Sequence, residues 1–459
     1  MSKDKGVLLL LALLFGVGTA WATDKTDPNV TDLQTQIEQV QQQMQMLQGR
    51  LDHQQGVRGG DDQAGEQDEA ALLRQLAEEM AGDKPVVRTP EETVFKSAGL
   101  SLQKLNPEIS ASGDFVASWR DQSDVRRRTD AEIRGLELNI QSYLDPFSYL
   151  KATVHMTDDE IDVEEIYMTR FSVLEGINLD LGKFRQQFGV VNRWHGDALD
   201  QVHYPLALQN ILGEEGLGQT GASLETLLPQ WGAAHQALTL QVTAAENEHL
   251  FSEEKQGLPS LLYRYKNYRD LNTSTYLEFG LSGLFGWNDT WDIQQGAVLV
   301  EQTDTLGTRV FGVDLSVLWE PLEKALYRNL EWRSELYILN RDMLAPDASG
   351  RDTLNAWGCY SYIQGKINRR TQIGIRGDYY RAESKPYAEM ANLSLAPLAY
   401  TSKSPYRWQV VPYLTWWQSE FVKFRAEYDY ANGKGMEPEA HSVWLQAIFA
   451  VGPHKHERY

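Results

Sequence analysis

The chain has 459 residues, one cysteine (Cys359) and a formal net charge of −21, with 64 acidic residues against 43 Lys and Arg. A single thiol excludes an internal disulfide and a cysteine-built zinc or iron–sulfur centre, and the acidic balance excludes the basic footprint that nucleic-acid binding requires. A mean hydropathy of −0.45 does not exclude a membrane protein, because a transmembrane barrel faces lipid with only every second residue.

Lys3 and Lys5 precede an apolar run from Val7 to Val17 that ends on Ala20-Trp21-Ala22. Residues 1–22 therefore read as a signal peptide with Thr23 as the mature N-terminus; an uncleaved anchor is the alternative, although the run is short for a span. In residues 23–55 the apolar side chains Val30, Leu33, Ile37, Val40, Met44, Leu47 and Leu51 step by three and four with Gln and Glu between them. That spacing predicts a short α-helical coiled coil that self-associates, against the alternative of one amphipathic helix lying on another surface. Residues 56–106 read as a linker: Gly56 to Asp68 is rich in Gly, Asp and Gln, Leu72, Leu73, Leu76 and Met80 mark a second short helix, and Pro85 and Pro90 break it.

From residue 107 to 459 the pattern has period two. Leu136, Leu138 and Ile140 alternate with Glu137, Asn139 and Gln141, and the same rhythm recurs at Phe311 to Trp319, Val422 to Tyr428 and Val443 to Val451. Beyond Ala22 no stretch is apolar enough for a spanning helix, and in hydrocarbon only helices or an edgeless barrel satisfy every backbone polar group. Connection lengths alternate as well. Tight links are expected at Leu144 to Ser148, Ser172 to Gly176, Pro229 to His235, Asn267 to Asn272, Glu320 to Asn329, Ile367 to Arg369 and Gln418 to Glu420. Longer polar segments fall between them, near Arg120 to Thr129, Thr157 to Asp162, Gln186 to Gln219, Ala245 to Pro259, Gly286 to Gly307, Arg341 to Asn355, Arg381 to Pro405 and Ala431 to Ala440. The reading is an all-β fold: a transmembrane antiparallel β-barrel of about sixteen strands, preceded by the coiled coil, with both barrel ends on the periplasmic side. Aromatic residues such as Tyr143, Trp319, Trp332, Trp357, Trp408 and Trp416 lie near the inferred strand ends, where interfacial girdles belong.

A barrel of this size encloses an aqueous channel that must be narrowed to select. The segment Gln186 to Gln219 carries an apolar stretch, Tyr204 to Leu212, and is expected to fold inward. Lys151, Arg264, Lys266, Arg333, Arg376, Lys423 and Arg425 fall on the lumenal parity as candidate pore-lining charges, interspersed with Glu137, Glu278, Glu331, Glu335, Asp378 and Glu427. Cross-strand ion pairs that hold the wall are the alternative use of these charges. The acidic run from Asp158 to Glu165 reads as a solvated exterior loop, with divalent bridging to lipopolysaccharide as a hypothesis.

The segment Gly182-Lys183-Phe184-Arg185-Gln186-Gln187-Phe188-Gly189 after a strand, with a coiled coil ahead of the barrel, resembles the phosphate-selective porins of the O and P type. That resemblance implies a sixteen-stranded, usually trimeric outer-membrane channel for small anions, and marks Lys183 and Arg185 as further pathway charges. The chain departs from it in its many lumenal carboxylates and in ending on Tyr459.

No Gly-rich phosphate loop, paired-Cys zinc site or HExxH helix is present, and the pairs His195 with His203 and His454 with His456 lack further ligands at useful spacing. No enzyme, cofactor or metal is expected. The sequence supports a passive outer-membrane porin for small hydrophilic solutes or ions, in contact with lipid and lipopolysaccharide and assembled as a homo-oligomer. The alternative is a scaffold barrel that ties the outer membrane to the cell wall or to a periplasmic or redox partner.

Overall fold

The computed structural model describes residues 107–452 apart from 123–124, 248, 252–257, 296–297, 345–350, 384–403 and 437. The expected signal peptide, coiled coil and linker, and the segment 453–459, lie outside the described residues. The first eight strands are β1 (Glu108–Gln122), β2 (Val125–Asp145), β3 (Ser148–Met156), β4 (Ile161–Leu174), β5 (Ile177–Arg185), β6 (Gly218–Trp231), β7 (Ala234–Thr243) and β8 (Ser260–Asn272). The second eight are β9 (Thr275–Gln295), β10 (Val298–Trp319), β11 (Leu330–Leu344), β12 (Arg351–Asn368), β13 (Thr371–Ala382), β14 (Tyr406–Trp417), β15 (Val422–Lys434) and β16 (Ala440–Val451). Each pairs antiparallel with its sequence neighbours, and β1 closes the sheet on β16 with Ala117 opposite Leu445. Closure leaves no unpaired edge, which is the condition for a sheet in hydrocarbon.

The two faces separate by residue parity. On β15, Lys423, Arg425 and Glu427 are buried inside the barrel while Phe424 and Tyr428 are exposed outside. Leu445, Phe449 and Val451 repeat this on β16. Exposed apolar side chains of this kind encircle the wall, an area far beyond the few hundred Å² that a soluble monomer tolerates in one patch. Burying such surface in lipid is worth roughly 25 cal/mol per Å². Tyr143, Phe147, Trp319, Trp332 and Trp416 are exposed near the short-turn rim, and Trp231 is 80% exposed there, where amphipathic rings suit a membrane interface.

The short turns have local causes. Asp145, Asn272 and Asn368 each turn a side-chain oxygen onto the backbone N–H two residues on, at 2.7, 2.9 and 2.8 Å, which closes the chain at Phe147, Ser274 and Arg370. Gly232, in the turn between β6 and β7, has φ +63°, a conformation that disfavours any side chain. The structure shortens several of the expected links. β8 continues to Asn272, so that turn occupies residues 273–274; β1 and β2 leave only residues 123–124 between them; and β9 and β10 leave only 296–297. Polar residues that alternate can sustain a ladder in water as well as in a wall, so polarity alone marks the segments that leave the membrane and not those that leave the sheet.

Candidate functional site: the loop-filled lumen

Residues 186–217, between β5 and β6, turn back into the barrel. Gln187 and Gly189 donate backbone N–H groups to Gln241 on β7 and Ser282 on β9, and Val190 and Val191 donate to Glu335 Oε1 on β11, each at 3.1 Å. Phe188 stacks on Tyr337 with ring centroids 5.8 Å apart. Its ring lies so near Gly312 that a Cβ there would stand 2.7 Å from it, so this crossing requires glycine.

After a 3₁₀ turn at Val191–Arg193 and another at Gly196–Ala198, the loop reaches the opposite wall. Lys423 donates to the Asp197 carbonyl, Arg425 to the Leu199 carbonyl at 2.7 Å, and Tyr362 to Asp200 at 2.9 Å. Val202 donates to Glu427 at 3.0 Å, and its carbonyl accepts from Arg134 of β2 at 2.7 Å. Arg376 donates to the His203 carbonyl at 2.9 Å, and Leu206 N–H to Asp378 at 3.0 Å. The helix α1 (Leu206–Leu212) then buries Leu206, Ala207, Leu208, Ile211 and Leu212 against β11, β12 and β13. Asn192 ties the two legs of the loop together, donating to the carbonyls of Gln186 and Leu217 and accepting from Leu217 N–H at 2.7 Å. The apolar stretch Tyr204 to Leu212 is thus the part that packs inside, as its composition leads one to expect.

Most lumenal cations are committed to carboxylates. Lys151 pairs with Glu165 at 2.9 Å, Arg264 with Asp314 at 3.0 Å, Arg333 with Glu331 at 2.8 Å and Arg376 with Asp378 at 2.8 Å. Arg376 is only 1% exposed, so no wide water column touches it. Lys266 is half-buried beside the Tyr268 ring, 5.3 Å from its centroid. Arg425 spends its guanidinium on Thr415, Gln446 and the loop. Arg185 turns toward Glu164 at 3.2 Å and the Glu215 carbonyl at 2.8 Å. Lys183 stands opposite Ile166 in the ladder, on the outward parity, and pairs with Asp162 at 3.4 Å.

His195 is the residue that sequence spacing misses. Its Nδ1 lies 2.5 Å from Glu164 and 3.9 Å from Glu137, and its Nε2 lies 2.9 Å from Glu165. Burial depresses its basicity, but the Glu137 charge and the hydrogen bonds to Glu164 and Glu165 outweigh that and push its pKa up to about 10. The imidazolium, with Lys151 and Arg185, balances three glutamates. This also corrects the reading of Asp158 to Glu165 as one exterior loop: Glu164 and Glu165 belong to β4 and turn inward, and only residues 157–160 connect β3 to β4. No sequence rule joins a loop histidine to glutamates two strands away.

The sequence matches no family model. An uncharacterized protein of Aquifex aeolicus (strain VF5) is 24% identical over 274 residues, 56% of this chain and 56% of that protein. The chain thus spans about half the length of the curated relative it matches. Among solved structures, the Pseudomonas putida OprB structure aligns with a TM-score of 0.49 at 10% identity, over 76% of this chain and 95% of that one. The anion-selective porin from Comamonas acidovorans aligns with a TM-score of 0.48 at 9% identity, over 75% and 99%. The outer membrane channel DcaP of Acinetobacter baumannii aligns with a TM-score of 0.51 at 10% identity, over 78% of this chain and 99% of that one. What the chain shares with DcaP is the closed barrel.

Proposed function

We propose that the chain is a bacterial outer-membrane channel for passive diffusion of small hydrophilic solutes, narrowed by the loop at residues 186–217. The observation that carries this is a closed barrel with an apolar exterior, a polar interior wall and a loop held across the lumen by bonds to opposite strands. The wall gives a passing ion little net sign, because Lys151, Arg264, Arg333 and Arg376 each have a carboxylate partner. Anion preference, which the porin resemblance implies, is assigned in this proposal to the basic residues that touch the loop, Arg425 at the Leu199 carbonyl and Lys423 at the Asp197 carbonyl. Trimeric assembly, contact with lipopolysaccharide and a periplasmic coiled coil over residues 23–55 belong to the same proposal.

Purified full-length protein in a planar bilayer is expected to give discrete channel steps, and excision of residues 191–216 to enlarge them several-fold. Silence from both proteins sinks the proposal. The density of loop-to-wall bonds favours a second reading, a sealed scaffold barrel. In that case the intact chain is silent, the loop-deleted chain conducts, and removal of residues 23–104 weakens the envelope without altering conductance.

A further inference from the structure

We infer that the barrel holds a divalent transition-metal ion, zinc or manganese, between His203 at the far end of the loop and Glu427 and Asp429 on β15. A ring nitrogen of His203 and one carboxylate oxygen from each acidic residue lie within 4.8 Å of one another. Ligand atoms around a four-coordinate ion with bonds of roughly 2.1 Å stand about 3.4 Å apart, within the spread of these groups.

The second observation is the state of the carboxylates. Glu427 is 2% exposed, yet its Oε1 is buried with no hydrogen-bond partner, and Asp429 Oδ1 is likewise buried and unbonded. Their other oxygens are occupied: Glu427 Oε2 accepts from Val202 N–H and Asp429 Oδ2 from Trp444 Nε1, each at 3.0 Å. Two buried, unsatisfied acidic oxygens side by side demand a cation or a shared proton.

The charges that act on His203 come from Arg134, Arg376 and Arg120. Arg134 is paired with Asp114 and Arg376 with Asp378, while Arg120 lies over the Trp444 ring at 5.6 Å. None of them hydrogen-bonds to Glu427 or Asp429 among the described residues, although the Arg376 charge acts on both acids. A metal ion takes the free lone pair of a neutral imidazole. The cluster at His195 lacks that lone pair, because both ring nitrogens face carboxylates and Lys151 and Arg185 complete the balance.

The donor set chooses the ion. One imidazole with two carboxylates suits zinc or manganese and disfavours calcium and magnesium, which take oxygen ligands. Trp444 lies edge-on to His203 at 4.4 Å and also lines a cleft of about 160 Å³ beside Val116, Ser118 and Arg120. Binding there bolts the loop to the wall, so the site is a metal-dependent latch on the constriction. The latch rests on the channel reading; the binding site does not.

The test is zinc uptake by the folded full-length chain in detergent, with folding checked by heat-modifiable gel mobility. Wild type and the H454A/H456A variant, which removes the histidine pair near the C-terminus, are expected to bind one tight zinc per chain. H203Q and D429N are expected to weaken that site at least about tenfold. Cobalt(II) on wild type gives a readout independent of any variant, since imidazole and carboxylate ligation produces visible d–d absorption that zinc bleaches. Absence of saturable uptake and of that absorption overturns the site and leaves Glu427 and Asp429 sharing a proton. Uptake unchanged in H203Q and D429N overturns it also. Zinc binding in a protein that conducts identically with and without zinc retains the site and removes the latch.

Discussion

His195 and His203 sit in one loop in unlike surroundings: Glu137, Glu164 and Glu165 favour the charged form of His195, whereas burial and the charges of Arg134, Arg376 and Arg120 oppose it at His203. His195 is the pin that joins the loop to β2 and β4. Its folded pKa of about 10 lies above the ordinary 6.5, so its contribution to stability is present in full below pH 6.5 and is lost progressively as pH rises toward 10. Replacing it with glutamine leaves Glu164 and Glu165 short of a buried cation, which costs about 3–5 kcal/mol. H195Q is therefore expected to unfold at lower denaturant at pH 7, with a gap from wild type that closes as pH passes 10. A gap of constant size from pH 6 to 11, measured in guanidinium titrations, would show that the imidazolium charge is not what holds the loop.

At the scale of elements, α1 is seated by an absence. A Cβ on Gly358 would lie 2.8 Å from the Ala207 Cβ and 2.9 Å from the Tyr379 carbonyl oxygen, so the helix touches β12 at backbone distance. Gly358→Val overpacks that contact at a cost of about 1–3 kcal/mol. The expected result is faster proteolysis within residues 186–217 and a larger conductance with the barrel intact. Wild-type cleavage rates in G358V would mean that α1 has slack to absorb the side chain. The sequence makes such an element half legible: Tyr204 to Leu212 is too apolar for a solvated loop, and period-two alternation marks strands such as β15 because one face meets lipid. The partners stay hidden, since Glu335, Asp378 and Glu427 meet the loop only once the barrel has closed across long chain separations. For the same reason wall charges that look available to solute, Arg376 above all, prove committed to the fold. The β1–β2 and β9–β10 hairpins are misread for a different cause, as hydropathy reports the end of the apolar belt and hydrogen bonding the end of the strand.

For the whole molecule, stability and selectivity draw on different faces of the same sheet. The outer face answers to depth: Leu445, 55% exposed at mid-strand of β16, is expected to cost about 2–4 kcal/mol when changed to Arg, a penalty that belongs to the bilayer midplane. A penalty under 1 kcal/mol in lipid-vesicle refolding would place that position at an interface. The inner face answers to net sign. The acidic total of −21 says little about the pathway, because charges beyond a Debye length of about 8 Å are screened at physiological salt. What counts is the charge held beside the constriction, where Lys423 and Arg425 donate to carbonyl oxygens of the loop. A tenfold KCl gradient is therefore expected to give an anion-selective reversal potential in wild type, and K423Q with R425Q to move it toward the cation side. Because R425Q also releases the Leu199 carbonyl, conductance is to be read alongside: a shift in sign at unchanged conductance isolates the charge. A cation-selective wild type would locate the controlling field among Glu335, Glu427 and their neighbours, and would make the acidic wall the filter.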